Sequence, residues 1–205
     1  DQRDEDGKSV VFDTAPLDGP IEILGAAEIE LDVTAEKPQA QLCVRLNDVA
    51  PDGASRRVSY GLLNLTHRES HEHPTPLEPG RTYRVRIKLN DAAHAFPRGH
   101  RIRIAISSSY WPIAWPSPET AGLVLATEGS VLHLPVRPPR AEDATLAPFA
   151  PAEAPTPHAV TRLGTPKVLE SVERDLVAGK TTFTTDEDDG GVRHEAIGLE
   201  VRHAK

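Results

Sequence analysis

Residues 76–118, PLEPGRTYRVRIKLNDAAHAFPRGHRIRIAISSSYWPIAWPSP, decide the fold. Turn-forming residues stand at Pro79-Gly80 and again at Pro97 and Gly99. After each turn, apolar side chains alternate with charged ones, which is the period-two pattern of a half-buried β-strand. The apolar positions are Tyr83, Val85, Ile87 and Leu89, followed by Ile102, Ile104 and Ile106. The stretch therefore predicts strands over 81–89 and 101–107, each with one face in a core.

Similar short strands recur along residues 10–136, and no segment keeps a helical period. The further predicted strands are 10–12, 21–24, 27–34, 41–46 and 58–62, with a hairpin of 123–125 and 131–134 about Glu128-Gly129. Many short strands between turn signals indicate two stacked antiparallel sheets. The side chains predicted to lie inside are Ile29, Leu31, Leu42, Val44, Leu46, Val85, Ile87, Ile102, Ile104 and Ile106.

Charge patterning on the outward faces suggests which strands are neighbours. The outer face of 27–34 is acidic, whereas those of 81–89 and 101–107 are basic. Opposite charges across neighbouring strands attract, so we expect 27–34 to lie near both basic strands. Replacing Arg84 or Arg103 is then expected to cost far less stability than truncating an interior side chain, because surface ion pairs contribute little.

Composition excludes several classes of protein. The formal net charge of -8 argues against nucleic acid and against an anionic membrane surface as partners. No apolar run is long enough for a membrane span, and no signal-peptide pattern is present. The single cysteine, Cys43, sits mid-strand, where we predict a small buried hydrophobe in a cytoplasmic protein. The chain contains no Met, so we expect that it was excised from a longer protein.

The chain is predicted to divide into three parts. Residues 1–137 form the β-sandwich domain, with 1–8 as a linker or frayed end, and residues 138–158 form a Pro-rich connection. Residues 159–205 form a small β extension, in which Val168–Leu176 and Thr181–Thr185 make a hairpin and Val192–Val201 a third strand.

Residue patterns for catalysis or metal binding are weak. A hydrolase nucleophile elbow, Gly-x-Ser-x-Gly, is absent, and 53–57 is the nearest approach. His67, His71 and His73, with Glu69 and Glu72, precede two prolines, and we interpret them as a solvated loop. Residues 186–190 lack the spacing of a calcium loop, so they indicate an acidic turn. We therefore assign no catalytic, cofactor-binding or metal-binding residue.

An aromatic loop follows the strand at 101–107. Its candidate interface or ligand residues are Ser108, Ser109, Tyr110, Trp111 and Trp115. Exposed aromatic side chains of this kind stack on sugars or pack on another domain. The alternative is that they close the end of this domain's own core, and the sequence favours neither interpretation.

Four motifs together resemble a known family. They are FDTAPL at 12–17, VRLNDV-x-PDG at 44–53, PLEPG at 76–80 and GHRIR-x-x-IS at 99–107. In this combination and order the chain resembles, over about 10–136, the C-terminal domain of the X-prolyl dipeptidyl-peptidase and cocaine-esterase hydrolases, with a weaker likeness in the tail. The resemblance implies a jelly-roll β-sandwich of the galactose-binding-like kind, which follows an α/β-hydrolase domain that carries the catalytic Ser, Asp and His. None of those catalytic positions maps onto this chain, so we expect it to have no hydrolase activity alone.

The resemblance also implies a partner. We expect the domain to dock on the missing α/β-hydrolase domain of an X-Pro dipeptidyl-peptidase or acyl esterase, with the loop 107–118 in the contact and self-association where that partner is absent. The alternative is a carbohydrate-binding jelly-roll module in which the same loop grips a sugar.

Overall fold

The computed structural model describes residues 1–205 and is built almost entirely from strands. None of its helices is long and apolar enough to cross a membrane. Two 3-10 turns lie at Leu65–His67 and Ala141–Thr145. The elements in chain order are α1 (Arg3–Asp6), β1 (Val10–Asp13), β2 (Ile21–Ala35), β3 (Gln41–Val49), β4 (Ser55–Asn64), β5 (Thr82–Phe96), β6 (Arg101–Ser107), β7 (Leu123–His133), β8 (Val160–Arg162), β9 (Lys167–Asp175), β10 (Lys180–Asp188), β11 (Val192–His194) and β12 (Leu199–Val201).

The chain divides into two compact units, Asp1–Asp143 and Ala144–Lys205. The first contains two antiparallel sheets with strand orders β1-β6-β3-β4 and β5-β2-β7, whose apolar faces form one core, as in a β-sandwich. All ten side chains predicted to lie inside are at most 5% exposed. The alternation of apolar residues therefore assigned the faces of these strands correctly, because each strand has one face against the core.

The structure differs from the strand prediction at β2, at β5 and at the predicted hairpin. Strand β2 runs through Gly25 as one strand with a bulge between Ala26 and Glu28. Strand β5 continues to Phe96, where we expected a loop after Leu89. The hairpin predicted about Glu128-Gly129 is wrong, because both of its halves pair with the same strand, β2. The left-handed backbone of Gly129 (φ 77°) forms a bulge within β7 and does not reverse the chain.

The acidic face of β2 has one basic neighbour. Glu28, Glu30 and Asp32 lie opposite Lys88, Arg86 and Arg84 of β5, which confirms that part of the prediction. The expected charge attraction to 101–107 across neighbouring strands is wrong, since β6 lies in the other sheet. Period-two charge alternation does not specify the sheet, and the basic residue Arg103 of β6 instead binds Asp13 of β1 and Asp6.

The second unit contains two small sheets. Strands β9 and β10 form the predicted hairpin, with Phe183 opposite Val172. The predicted third strand over 192–201 is wrong, because it is interrupted by a turn that ends at Gly198, in the left-handed region (φ 64°). Its two halves, β11 and β12, pair with each other, and β11 also pairs with β8. Between the sandwich and these sheets, the predicted Pro-rich connection 138–158 contains a 3-10 turn and no strand.

Candidate docking surface

A buried charge cluster covers the outer face of β3. The Arg45 side chain is fully buried, and its Nη2 lies 3.3 Å from Oδ1 of Asp6. The Asp6 carboxylate also accepts hydrogen bonds from Asn47 Nδ2 (2.9 Å), Ser55 Oγ (2.7 Å) and Arg103 Nη1 (3.1 Å). Each carboxylate oxygen therefore has two donors or cations, which is what a buried charge requires.

The prediction that residues 1–8 are a linker or frayed end is wrong. The N-terminal segment, residues 1–9, folds onto the sheet through Gln2, Asp6 and Ser9. The backbone N–H of Gln2 donates to the carbonyl of Ser55 (2.8 Å), and Arg45 donates to Gln2 Oε1 (3.1 Å) and to Ser9 Oγ (2.7 Å). Polarity alone suggested a solvated end, but these polar groups are satisfied by a buried arginine. The acidic residues within 1–6, together with the strand arginines Arg45 and Arg103, were the sequence feature that could have indicated this contact.

Tyr110 belongs to the packing of this cluster. It is 5% exposed, its ring lies 5.1 Å from the Arg45 guanidinium carbon, and it meets the Tyr60 ring edge-on at 5.9 Å. Its hydroxyl donates to Gln2 Oε1 (3.1 Å) and accepts a hydrogen bond from Arg57. The first aromatic residue of the loop 107–118 is thus an internal anchor.

The rest of the loop is more exposed than Tyr110. Ser108 and Ser109 are exposed, Trp111 is half-buried, and Trp115 is 84% exposed. The chain near Trp115 is nevertheless held, because its carbonyl accepts a hydrogen bond from Gln41 Nε2 (3.2 Å). The five candidate residues therefore do not act as one group, since a buried tyrosine fixes the base of the loop and a tryptophan projects from its tip.

Cys43 lies beside Arg45 on β3 and is 1% exposed. Burial raises the pKa of its thiol to about 11, although the nearby Arg45 charge acts in the opposite direction. The thiol is therefore protonated at neutral pH, which is the inert, hydrophobe-like state expected from the sequence.

Asp13 is held in its charged form. A hydrogen bond from the Arg103 guanidinium (2.7 Å) is the main reason that the pKa of the Asp13 carboxyl lies below its ordinary value of 3.8. Because the pKa is depressed in the folded state, Asp13 contributes stability that is complete above the ordinary value and is lost as the pH falls through the folded value.

We expect Asp13→Asn to destabilise the chain at pH 6 but not in acid, where the wild-type carboxyl is also neutral. The measurement is urea unfolding of both proteins from pH 6 down to pH 2. Asp18→Asn, at an exposed carboxyl, is the matched control and should change little throughout. A wild-type advantage over Asp13→Asn that stays constant across the range would contradict this account.

The other histidines and carboxylates that lie close together contact one another and form no metal site. No group of three or more His, Cys, Asp and Glu side chains is arranged to hold a metal ion, and Nδ1 of His67 and His71 lie 3.3 Å apart. Sequence reasoning missed the buried Asp48, whose carboxylate lies 3.0 Å from His94 Nε2 and 2.7 Å from His100 Nδ1. This contact joins β3 to β5 of the opposite sheet and to the turn before β6.

Comparison with known proteins identifies related chains. The family model described as "X-Pro dipeptidyl-peptidase C-terminal non-catalytic domain" matches residues 1–167. Cocaine esterase of Rhodococcus sp. (strain MB1 Bresler) is 30% identical over 113 residues, which are 55% of this chain and 20% of that protein.

Two solved structures are also similar. An α-amino acid ester hydrolase superposes with a TM-score of 0.63 and 28% identity over 67% of this chain and 27% of its own. An aminopeptidase from a marine sediment archaeon, Thaumarchaeota archaeon, gives a TM-score of 0.64 at 23% identity, again over 67% of this chain and 27% of its own. The chain thus spans between a fifth and about a quarter of the length of these three proteins.

Proposed function

The chain belongs to the family of X-Pro dipeptidyl-peptidase C-terminal non-catalytic domains, and from that premise we propose that it docks on and stabilises the α/β-hydrolase domain of a parent dipeptidyl-peptidase or acyl esterase. Most of the length of its relatives lies outside the matched region, which leaves room for that catalytic domain. The sandwich is proposed to be a jelly roll of the galactose-binding-like kind. The buried, unpaired thiol of Cys43 supports a place in the reducing cytosol.

The exposure of Trp115 is the observation that carries the docking proposal. Its side chain is 84% exposed, and Ile113, two positions earlier in the same loop, is 48% exposed. Large apolar side chains placed together in water are unfavourable unless a partner covers them, and tryptophan is enriched in the centres of interfaces. The tip of the loop is therefore proposed to bury itself against the hydrolase domain.

The base of the loop supports the same proposal, because it holds the tip in place before docking. Tyr110 is clamped between Arg45 and Tyr60, and its carbonyl accepts the backbone N–H of Ala114 (2.7 Å). Three prolines, Pro112, Pro116 and Pro118, further restrict the backbone. A loop restricted in this way loses less conformational entropy on binding than a mobile loop does.

We expect Trp115→Ala to lower both the thermal stability and the turnover of the parent hydrolase, while the stability of the isolated 205-residue chain changes by no more than about 0.5 kcal/mol, as for other surface changes. Thermal unfolding of both proteins and hydrolysis of an X-Pro chromogenic dipeptide and a nitrophenyl ester by the parent provide the measurements.

Phe149→Ala is the matched control, because Phe149 is a fully exposed aromatic residue outside the loop. It should leave the parent unchanged. A parent unaffected by Trp115→Ala, with an isolated chain that loses stability, would place Trp115 in this domain's own packing and reject the docking proposal.

A carbohydrate-binding module is the alternative, and one observation favours it. A cavity of about 200 Å³ beside the loop is lined in part by Ser108, Ser109 and Glu119, which are groups that bind sugar hydroxyls. Titration of tryptophan fluorescence with a panel of sugars separates the two functions. A saturable response that Trp115→Ala abolishes would support the module, whereas docking predicts no saturable response.

A further inference from the structure

The two long edges of the sandwich in the first unit differ. At the β4–β5 edge the sheets touch, since Ser59 Oγ donates to the carbonyl of Asn90 (2.6 Å). A Cβ at Gly61 would lie 2.8 Å from the carbonyl oxygen of Lys88, so the two backbones are in direct contact there. The opposite edge, bounded by β1 and β7, is open.

A groove that is apolar in its first part and mixed in its second occupies this open edge. Its first part is a cavity of about 220 Å³ with a floor of core residues, among them Ile29, Leu31, Ile104 and Ile106, and a rim that includes Phe12 and Val131. A wider cavity of about 650 Å³ shares Phe12 and Ile106 with the first and reaches Ser108 at the base of the loop 107–118. The groove therefore leads from the middle of the open edge to the proposed docking loop.

Both strands beside the groove have a free edge. Strands β1 and β7 are the terminal strands of their sheets, so each presents backbone N–H and C=O groups on the side away from its partner. In β1 the side chains of Val10, Val11 and Phe12 are between 39% and 53% exposed. An apolar floor beside unpaired strand edges is the arrangement that recognises an extended peptide, because the backbone pairs with the edge while alternate side chains enter the groove.

We propose that this groove receives an extended segment of the parent polypeptide that lies outside this chain, with apolar residues at every second position facing the floor. The proposal rests on the proposed function and specifies a second part of the same docking surface. Two observations select this occupant. The relatives extend well beyond the matched region, so a covalently linked partner is available, and the groove ends at the loop on which the same partner is proposed to dock.

Hydrogen–deuterium exchange on the full-length parent and on the isolated chain tests the proposal. The amides of β1 and β7 that are unpaired within the sandwich are expected to exchange about ten-fold or more slowly in the parent, because only there does an added strand protect them. The variants Val131→Lys and Thr127→Lys, both in the groove, should remove this protection.

Leu62→Lys is the matched control. Leu62 is 42% exposed on β4, at the closed edge, and Val131 is 43% exposed, so the two lysines are introduced at equally accessible aliphatic positions. Leu62→Lys should leave the protection intact. Urea unfolding of each isolated variant checks that the sandwich still folds. If the Val131→Lys variant does not fold, Thr127→Lys provides the test.

Equal exchange in the parent and the isolated chain would overturn the proposal. The proposal would also be overturned if the isolated chain became more protected at higher concentration and sedimented as a dimer, because the occupant of the groove would then be a second copy. If Trp115→Ala weakens the parent while the groove variants leave it and its exchange unchanged, the groove proposal alone fails. If neither set of variants affects the parent, the proposed function fails as well.

Discussion

Asp6→Ala is expected to lower the free energy of unfolding of the isolated chain by about 3–5 kcal/mol, the usual cost of removing one partner of a buried ion pair. The Arg45 side chain is fully buried, and Asp6 is 6% exposed. Without the carboxylate, Arg45 keeps only neutral acceptors, Gln2 and Ser9. The buried positive charge is then uncompensated, which is the source of the expected loss.

Urea unfolding followed by circular dichroism measures this loss, with Asp18→Asn as a control at an exposed carboxyl. The double variant Asp6→Ala, Arg45→Met should recover much of the stability, because it removes both charges together. A loss for Asp6→Ala no larger than that for Asp18→Asn would mean that the N-terminal segment does not neutralise Arg45 in solution.

Leu46→Ala is expected to cost about 2–5 kcal/mol, since it removes buried methyl groups and leaves a cavity that the sheets cannot fully close. Leu46 is 0% exposed on β3 and lies in the core between the two sheets. Leu62→Ala makes the same change on the neighbouring strand β4, where the side chain is 42% exposed, and should cost much less. Comparable losses at the two positions in urea unfolding would refute the assignment of faces.

The arginines do not behave as the pair that the sequence suggested. Arg84 is 43% exposed and binds acidic residues on the outer face of β2, so its replacement should still have a small effect. Arg103 is only 19% exposed and contacts both Asp13 and the buried Asp6. We therefore expect replacement of Arg103 to cost more stability than replacement of Arg84, because it removes the cation bound to Asp13 and one of the two cations bound to Asp6.

Alternation predicted the sandwich because it reports which face of a strand avoids water. The side chains of Ile102, Ile104 and Ile106 are all buried as expected. The same pattern could not reveal the second buried face of β3, since a polar residue such as Arg45 looks identical whether it faces solvent or a covering segment. Burial of Arg45 depends on Asp6, which lies 39 positions earlier in the sequence and has no periodic relation to it.

The sequence located the aromatic loop but did not show which of its aromatic side chains is buried and which is exposed. Tyr110 and Trp115 are separated by a few positions and have the same aromatic character, yet one is 5% and the other 84% exposed. Loops lack the regular period that assigns side chains to a face, so only the contacts of Tyr110 with Arg45 and Tyr60 distinguish an anchor from an exposed tip.

The two sheets of the sandwich are held together more firmly at one edge than at the other. The backbones of β4 and β5 are in contact at the closed edge, whereas β1 and β7 lie at the open edge. Thermal fluctuations that separate the sheets should therefore have their largest amplitude near Phe12 and Val131. A segment bound in the groove should damp these fluctuations. Its binding would then make the whole core more rigid, even if no average atomic position changed.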